Sequence, residues 1–291
     1  MVFGMAWLTT LTKLSFGCVE EEKSPIAVLG VPLDHTATYR PGSKFAPLKI
    51  RDAACNIELY SLLAGLSLED VGFKDYGDIV LQPSDVEGAL RRIGLVLSKI
   101  LEEHQGLLLV LGGEHLLTYS SIKTYSHVID TVIVFDAHLD LRDEYLGSRL
   151  NHATFLRRVV EETSSRVIHI GSRAYSRGEL EFAKKVGIEV YNILDVIAGK
   201  LHFDDLGRVY VSIDIDVFDP SIAPGTGNPE PYGLYLREFF PLLKSIFEEA
   251  SKVYAVDIVE VNPIVDHGDV TSILAAKIAV EAAGLYISKK R

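Results

Sequence analysis

Apolar residues in this chain fall into two kinds of run. Short, near-continuous ones rich in β-branched residues are IAVLGV (26–31), LLLVLGG (107–113), TVIVFDAH (131–138), RVIHIGS (166–172), IEVYN (188–192), RVYVSIDID (208–216) and KVYAVDIVEV (252–261). Continuous rather than alternating runs predict strands covered on both faces. Between them, apolar residues recur at helical spacing over 86–104, 155–162, 178–187, 236–251 and 272–288, with Pro241 a kink point in the fourth. Strand alternating with helix predicts an α/β fold, a parallel sheet inside a three-layer α/β/α sandwich. The same alternation also permits a (β/α)8 barrel. No repeat, low-complexity stretch or Pro/Gly-rich linker divides the chain. Residues 25–291 are therefore expected to form one domain, preceded over 1–24 by an N-terminal arm that packs on it or on a neighbouring subunit.

Composition narrows the partners. With 291 residues, 48% hydrophobic and 24% charged, the chain has the make-up of a soluble globular protein. Its formal net charge of -11 argues against nucleic acid, where a basic face supplies most of the affinity, and suits a small cationic substrate. No run of about 18 apolar residues predicts a membrane span. The apolar opening MVFGMAWLTTLTKLSFG lacks both a basic stretch ahead of it and a small-residue cleavage site, so it does not read as a signal peptide. Cys18 and Cys55 are too few for a disulfide framework and suit a reducing cytoplasm, the expected location.

Candidate chemistry collects where strands end. Ligands of parallel sheets gather beyond the carboxyl ends of the strands. There LLLVLGG runs into Glu114 and His115, TVIVF into Asp136, His138 and Asp140, RVYVSI into Asp214, Asp216 and Asp219, and KVYAVDIV into Glu260. Residues at i and i+2 of an extended chain face the same way, so Asp136, His138 and Asp140 can converge, as can Asp214 and Asp216. Taken alone, a DxHxD segment reads more readily as a helix cap or a surface loop than as a metal site, and a DxD segment more so. Clustered at the ends of several buried strands, such charges repel and are costly to desolvate unless a cation holds them. Carboxylates with one or two imidazoles suit a pair of hard divalent ions, which acidify water into a nucleophile near neutral pH. The glycine-rich pieces LGG (111–113) and PGTGNP (224–229) lack the Lys-Ser/Thr of a phosphate loop and are expected to allow tight turns and close backbone approach.

The blocks GGEH (112–115), DAHLD (136–140), NHATF (151–155), SIDIDVFDP (212–220) and VEVNP (259–263) resemble the ureohydrolases, the arginase and agmatinase family, from about residue 26 onward. The resemblance implies an eight-stranded parallel sheet, two Mn2+ ions per subunit, assembly into trimers or hexamers, and hydrolysis of a guanidinium group to urea by a metal-bridging hydroxide. Carried over by position, His115, Asp136, Asp140 and Asp214 would hold one manganese, and Asp136, His138, Asp214 and Asp216 the other. His152 would deliver a proton to the leaving amine, Glu260 would pair with the guanidinium, and Asp219 would stand behind the ligands. Glu114 departs from the aspartate usual in the family and is expected to orient His115 or its neighbours.

Within the family, GVPLDHTATYRPGSKFAPLKIRDA (30–53), APGTGNPEPYGL (223–234) and DLRDEYLGSRLNH (140–152) are most similar to agmatinases, archaeal ones in particular. Agmatine, cleaved to putrescine and urea in polyamine biosynthesis, is the implied substrate. Aminopropylagmatine, guanidinobutyrate or arginine are alternatives, as is a non-catalytic assembly protein. Asp143 and Glu144 are candidates for reading the substrate's distal amine, or are simply solvated charges. His35 and His267 are candidates for lining the pocket.

Overall fold

A computed structural model describes residues 14–290. Its strands are β1 (Ile26–Val31), β2 (Tyr60–Ser61), β3 (Leu66–Ser67), β4 (Lys74–Asp78), β5 (Leu107–Gly112), β6 (Thr131–Phe135), β7 (Arg166–Ser172), β8 (Glu189–Asn192), β9 (Arg208–Asp214) and β10 (Lys252–Val259). Eight of them form one sheet in the order β4-β1-β5-β10-β9-β6-β7-β8, every pair parallel. Strands β2 and β3 make a separate antiparallel ribbon. The sheet ends at β4 and β8 without closing, which excludes the barrel.

Eight α-helices cover it: α1 (Ala46–Ala54), α2 (Val86–Glu103), α3 (Leu116–Tyr125), α4 (Phe155–Glu162), α5 (Arg177–Val186), α6 (Ile193–Ile197), α7 (Leu236–Glu249) and α8 (Val270–Lys289). Alternate residues of each central strand feed two separate cores. Val28, Leu109, Ile133 and Val211 pack with α1, α6, α7 and α8 on one face. Ala27, Leu108, Val132 and Tyr210 pack with α2, α3, α4 and α5 on the other. This is why β1, β5 and β6 carry no polar alternation: every residue in them is buried. Helix α7 runs through Pro241 without a break. Over His267–Lys289 the chain is long and apolar enough to cross a membrane, with a mean hydropathy of 1.5, but 83% of that apolar window is buried within the fold. Its hydropathy is accounted for by packing.

The hydrophobic pattern missed β2, β3, β4, α1, α3 and α6. Strand β4, KDYGD, is an edge strand with one covered face and a mixed sequence. Helix α3 is buried almost all round, so it has no polar stripe to betray its period.

Residues 1–13 of the expected arm lie outside the described residues. Within its remainder, Phe16 is fully buried edge-on to Phe73 at 4.8 Å, and its N–H donates to Asp75 Oδ2 at 2.8 Å. The reading of the two cysteines as a pair suited to a reducing compartment needs correction: Cys18 and Cys55 are joined in a disulfide, which fixes this segment to the end of α1.

The same corner holds a buried ion pair. Arg51 donates from Nε and Nη2 to both oxygens of Asp75, at 2.8 and 2.9 Å, and from Nη1 to Asp78. Burial opposes ionisation of Asp75, but the Arg51 guanidinium outweighs it and holds the carboxyl below its usual range. Arg51→Met would leave that carboxylate buried and uncompensated, and is expected to cost about 3–5 kcal/mol. A carboxyl depressed on folding stabilises above its unfolded pKa, near ~3.9, and that stability is lost as pH falls below it. Equilibrium unfolding should therefore show the largest gap between wild type and R51M at neutral pH and a smaller one near pH 3. Equal gaps at both would refute the assignment.

Candidate metal centre

Sheet order, not sequence order, assembles the site. β5, β10, β9 and β6 are neighbours, so the residues following them emerge side by side at one edge. Leaving β5, Gly113 passes so close to the preceding loop that a Cβ there would fall 1.9 Å from the Leu33 carbonyl oxygen. This close approach turns Glu114 and His115 into the site at the start of α3.

His115 Nδ1 lies 3.1 Å from Asp136 Oδ2, 3.1 Å from Asp214 Oδ2 and 3.7 Å from Asp140 Oδ2. On the other side, His138 Nδ1 lies 2.9 Å from Asp216 Oδ2 and 3.6 Å from Asp136 Oδ1. The donor atoms of His115, Asp136 and Asp140 fall within 4.8 Å of one another, as do those of Asp136, His138 and Asp216. Asp136 belongs to both groups, the position expected of a bridging carboxylate.

The electrostatics call for cations. Burial, reinforced by neighbouring carboxylates, pushes Asp140 and Asp214 well above the ordinary carboxylate range. Burial opposes ionisation of Asp136, yet His115 and His138 hold it low. Burial resists protonation of His115, but Asp136 beside it raises that pKa to about 9. Buried His115 Nδ1 and Asp136 Oδ2 have no hydrogen bond among the described residues. Four carboxylates and two imidazoles crowded in this way fit a pair of hard divalent ions, which would relieve the repulsion that burial magnifies. Asp140 also sits at φ 49° and Glu260 at φ 63°, conformations that side-chain-bearing residues rarely adopt. Strain of this kind is typical of sites where the surrounding fold dictates the geometry.

A relay behind His115 fixes its tautomer. Asp257 is fully buried and accepts from Ser212 Oγ at 2.6 Å, Tyr210 OH at 2.8 Å and Thr118 Oγ1 at 2.8 Å. Having donated its proton to Asp257, Ser212 Oγ can only accept from His115 Nε2, 3.0 Å away. In the neutral ring, the form that a cation in place of the second ring proton would favour, Nδ1 is then bare and faces the carboxylates, as a metal ligand requires. Phe155 stacks on the ring at 4.0 Å and holds its plane.

The wall above the cluster carries Glu260 and His152. Glu260 Oε1 accepts the backbone N–H of His115 at 2.7 Å and lies 3.7 Å from His152 Nδ1. Glu260 is raised to about 8 by burial, while burial lowers His152 to about 4. His152 Nε2 meets Thr38 Oγ1 at 3.0 Å. Glu114 was expected to orient His115 or its neighbours. Its carboxylate instead accepts Thr36 N–H at 2.7 Å and Thr36 Oγ1 at 3.0 Å, and the N–H of His152 donates to that hydroxyl oxygen at 3.0 Å. Glu114 thus braces the loop that holds His152, a role its side-chain length allows.

A cavity of about 330 Å³ opens over these groups, lined by His138, Asp140, His152, Asp214, Asp216 and Glu260 at its base. Two of the predicted substrate contacts are not brought to it. Asp143 Oδ1 faces Arg158 at 2.8 Å, Arg149 at 3.5 Å and Arg157 at 3.9 Å, and neither Asp143 nor Glu144 is among the lining residues. His35 and His267 are not among them either. Asp219 accepts backbone N–H groups of Ser221, Tyr232 and Gly233, and so shapes the loop beside the mouth.

Sequence reasoning missed Ser212, Asp257, Thr36, Thr38 and Arg173. Only Asp257 left a signal, a lone charge inside an apolar strand, which must have buried partners. The others are small or surface-type residues whose roles depend on neighbours distant in the chain.

Comparison with known proteins supplies the family. The model of the arginase family matches residues 24–284. An agmatinase of Pyrococcus horikoshii is 38% identical over 277 residues, covering 92% of this chain and 94% of the relative. An N(1)-aminopropylagmatine ureohydrolase of Thermococcus kodakarensis is 34% identical over 278 residues, 94% of each. The solved proclavaminate amidino hydrolase of Streptomyces clavuligerus superposes with a TM-score of 0.84 at 30% identity, over 97% of this chain and 99% of that one. By its sequence, its open eight-stranded parallel sheet and its strand-end carboxylates, the chain belongs to the arginase family, the ureohydrolases.

Proposed function

We propose that the protein is a manganese ureohydrolase that releases urea from a small cationic guanidine, with agmatine, cleaved to putrescine, as the leading substrate. The observation that carries this reading is the placement of Glu260 and His152, 3.7 Å apart, on one wall over the carboxylate cluster. His115, Asp136, Asp140 and Asp214 would hold one Mn2+, and Asp136, His138, Asp214 and Asp216 the other. When bound, the pair supplies a nucleophilic water near neutral pH.

The chain's own residues do the rest. The Glu260 carboxylate pairs with the planar guanidinium through parallel charge-assisted hydrogen bonds and sets the carbon over the cluster. Braced by Thr38 and by the Glu114–Thr36 link, His152 stays in reach of the departing nitrogen. A carbon–oxygen bond forms and a carbon–nitrogen bond breaks. The attacking water would lose one proton to solvent on activation, and its second passes through the neutral His152 ring to that nitrogen, so that amine and urea both leave uncharged at the moment of cleavage.

Urea release from agmatine, aminopropylagmatine, 4-guanidinobutyrate and arginine, each with manganese, tests the reading. Agmatine is expected to give the highest kcat/KM. Preference for arginine would sink the agmatine assignment, and no urea from any of the four would sink the enzyme.

A further inference from the structure

The base of the cavity accounts for the guanidinium end, and leaves open what meets the substrate's other end. Three charged side chains stand along the upper lining: Arg142, Glu179 and Glu230. Two of them are already engaged. Glu179 accepts from Leu141 N–H on one oxygen and from Ser176 N–H and Oγ on the other, closing the start of α5. Arg142 Nη2 lies 3.8 Å from that same carboxylate, and its guanidinium sits over the Tyr145 ring at 5.0 Å.

Glu230 differs. Its side chain is 39% exposed, and its nearest charged neighbour is His138 Nε2, 3.9 Å from Oε1, too far for a direct hydrogen bond. His138 turns Nδ1 toward Asp216, so its ring spans from the cluster to the Glu230 carboxylate.

The loop bearing Glu230 is held in place. Pro229 and Pro231 flank it and restrict its backbone. Arg173 donates to the carbonyl oxygens of Glu230 at 2.8 Å and Pro231 at 3.0 Å, and from the same guanidinium to Asp216 O at 2.7 Å. One side chain thereby ties the Glu230 loop to a proposed metal ligand. A carboxylate whose backbone is held in place, and whose side chain stands partly in solvent with no protein hydrogen bond among the described residues, suits a cation that arrives with the ligand.

We propose that Glu230 is the specificity residue that receives the distal ammonium, so that the protein selects guanidines tailed by a cation over those tailed by a carboxylate or by nothing. This rests on the ureohydrolase reading above. With the guanidinium on Glu260, the alkyl chain runs along the cavity past His138 and its terminal ammonium meets Glu230. The competing role is a positioning one, in which Glu230 steadies His138 through a water.

The test compares agmatine with butylguanidine, which has the same guanidine and chain length but no amine. Urea release and calorimetric titration are run in parallel on the manganese-loaded full chain, as wild type, E230Q and E230D, with metal content measured for each. The wild type is expected to favour agmatine by about tenfold in kcat/KM, E230Q to lose most of that ratio at full metal content, and E230D to recover part of it. Several results overturn the proposal: an unchanged ratio in E230Q, no preference in the wild type, a wild-type preference for 4-guanidinobutyrate, or a ratio that collapses only as manganese is lost. Calorimetry separates the two readings. Should no urea be released, tighter binding of agmatine that E230Q abolishes would uphold Glu230 and sink the reaction. Absence of binding by the wild type would sink both.

Discussion

Asp136→Asn is expected to abolish urea release, lowering kcat/KM by about a thousandfold or more, and to leave the protein unable to retain its metals. Asp136 belongs to both donor groups, with Oδ2 3.1 Å from His115 Nδ1 and Oδ1 3.6 Å from His138 Nδ1. An amide keeps the shape but removes the charge that both ions would share. A metal pair contributes several kcal/mol at the transition state, and each 1.36 kcal/mol lost is about tenfold in rate. Ligand binding to the folded state alone raises the unfolding temperature, so added manganese should raise the Tm of wild type and leave that of D136N nearly unmoved. Metal analysis after gel filtration, a urea assay and thermal melts would be read together. A D136N protein that carries two manganese ions and turns over at the wild-type rate would remove this cluster from the mechanism.

His152→Ala should show the opposite dissociation, with metal content intact and kcat down by about 10²–10⁴, the usual span for loss of a positioned acid or base. His152 is nearly buried and contacts Thr38 and Glu260 rather than the ligand side chains. Burial drives its pKa down to about 4, so near pH 7 the ring is neutral and can both take and give a proton during one turnover. KM should move little, because the guanidinium is held by Glu260. Normal kcat in H152A would exclude His152 from proton transfer, and a loss of manganese would assign it to the metal shell instead. Together the two substitutions separate holding the ions from moving the proton.

Much of the fold was legible because the central strands are covered twice. β1 and β7 begin and end where their apolar runs do, since both faces must be apolar and polar residues resume only where the chain leaves the sheet. That logic failed at β4, an edge strand with a mixed sequence, and at α3, buried on almost all sides. A carboxylate-rich cation site was legible for a related reason: charges that interrupt a buried strand's end need a partner. Which six of the strand-end residues would hold the ions came from the family resemblance instead.

The mouth of the cavity was not legible in this way. Asp143 and Glu144 are acidic and near a matched block, but whether a loop carboxylate faces a cavity or three arginines depends on packing. Asp143 faces Arg149, Arg157 and Arg158. Glu230 drew no attention in the sequence, because a glutamate between two prolines reads as a surface turn.

The amino-acid sequence by itself determined the two-sided strands, the alternation of strand with helix and the gathering of carboxylates and imidazoles at strand ends. Each follows from rules that act along the chain: burial on both faces, side chains alternating every second residue, and the cost of an unpaired buried charge. The tertiary structure alone decided that β10 and β9 lie between β5 and β6, which brings Glu260 beside His115 across 145 residues. It also placed Asp257 and Ser212 behind His115, Glu114 behind the His152 loop, and Glu230 at the mouth. Such pairings arise from strand order and loop docking, where residues distant in sequence meet, and no local pattern records them.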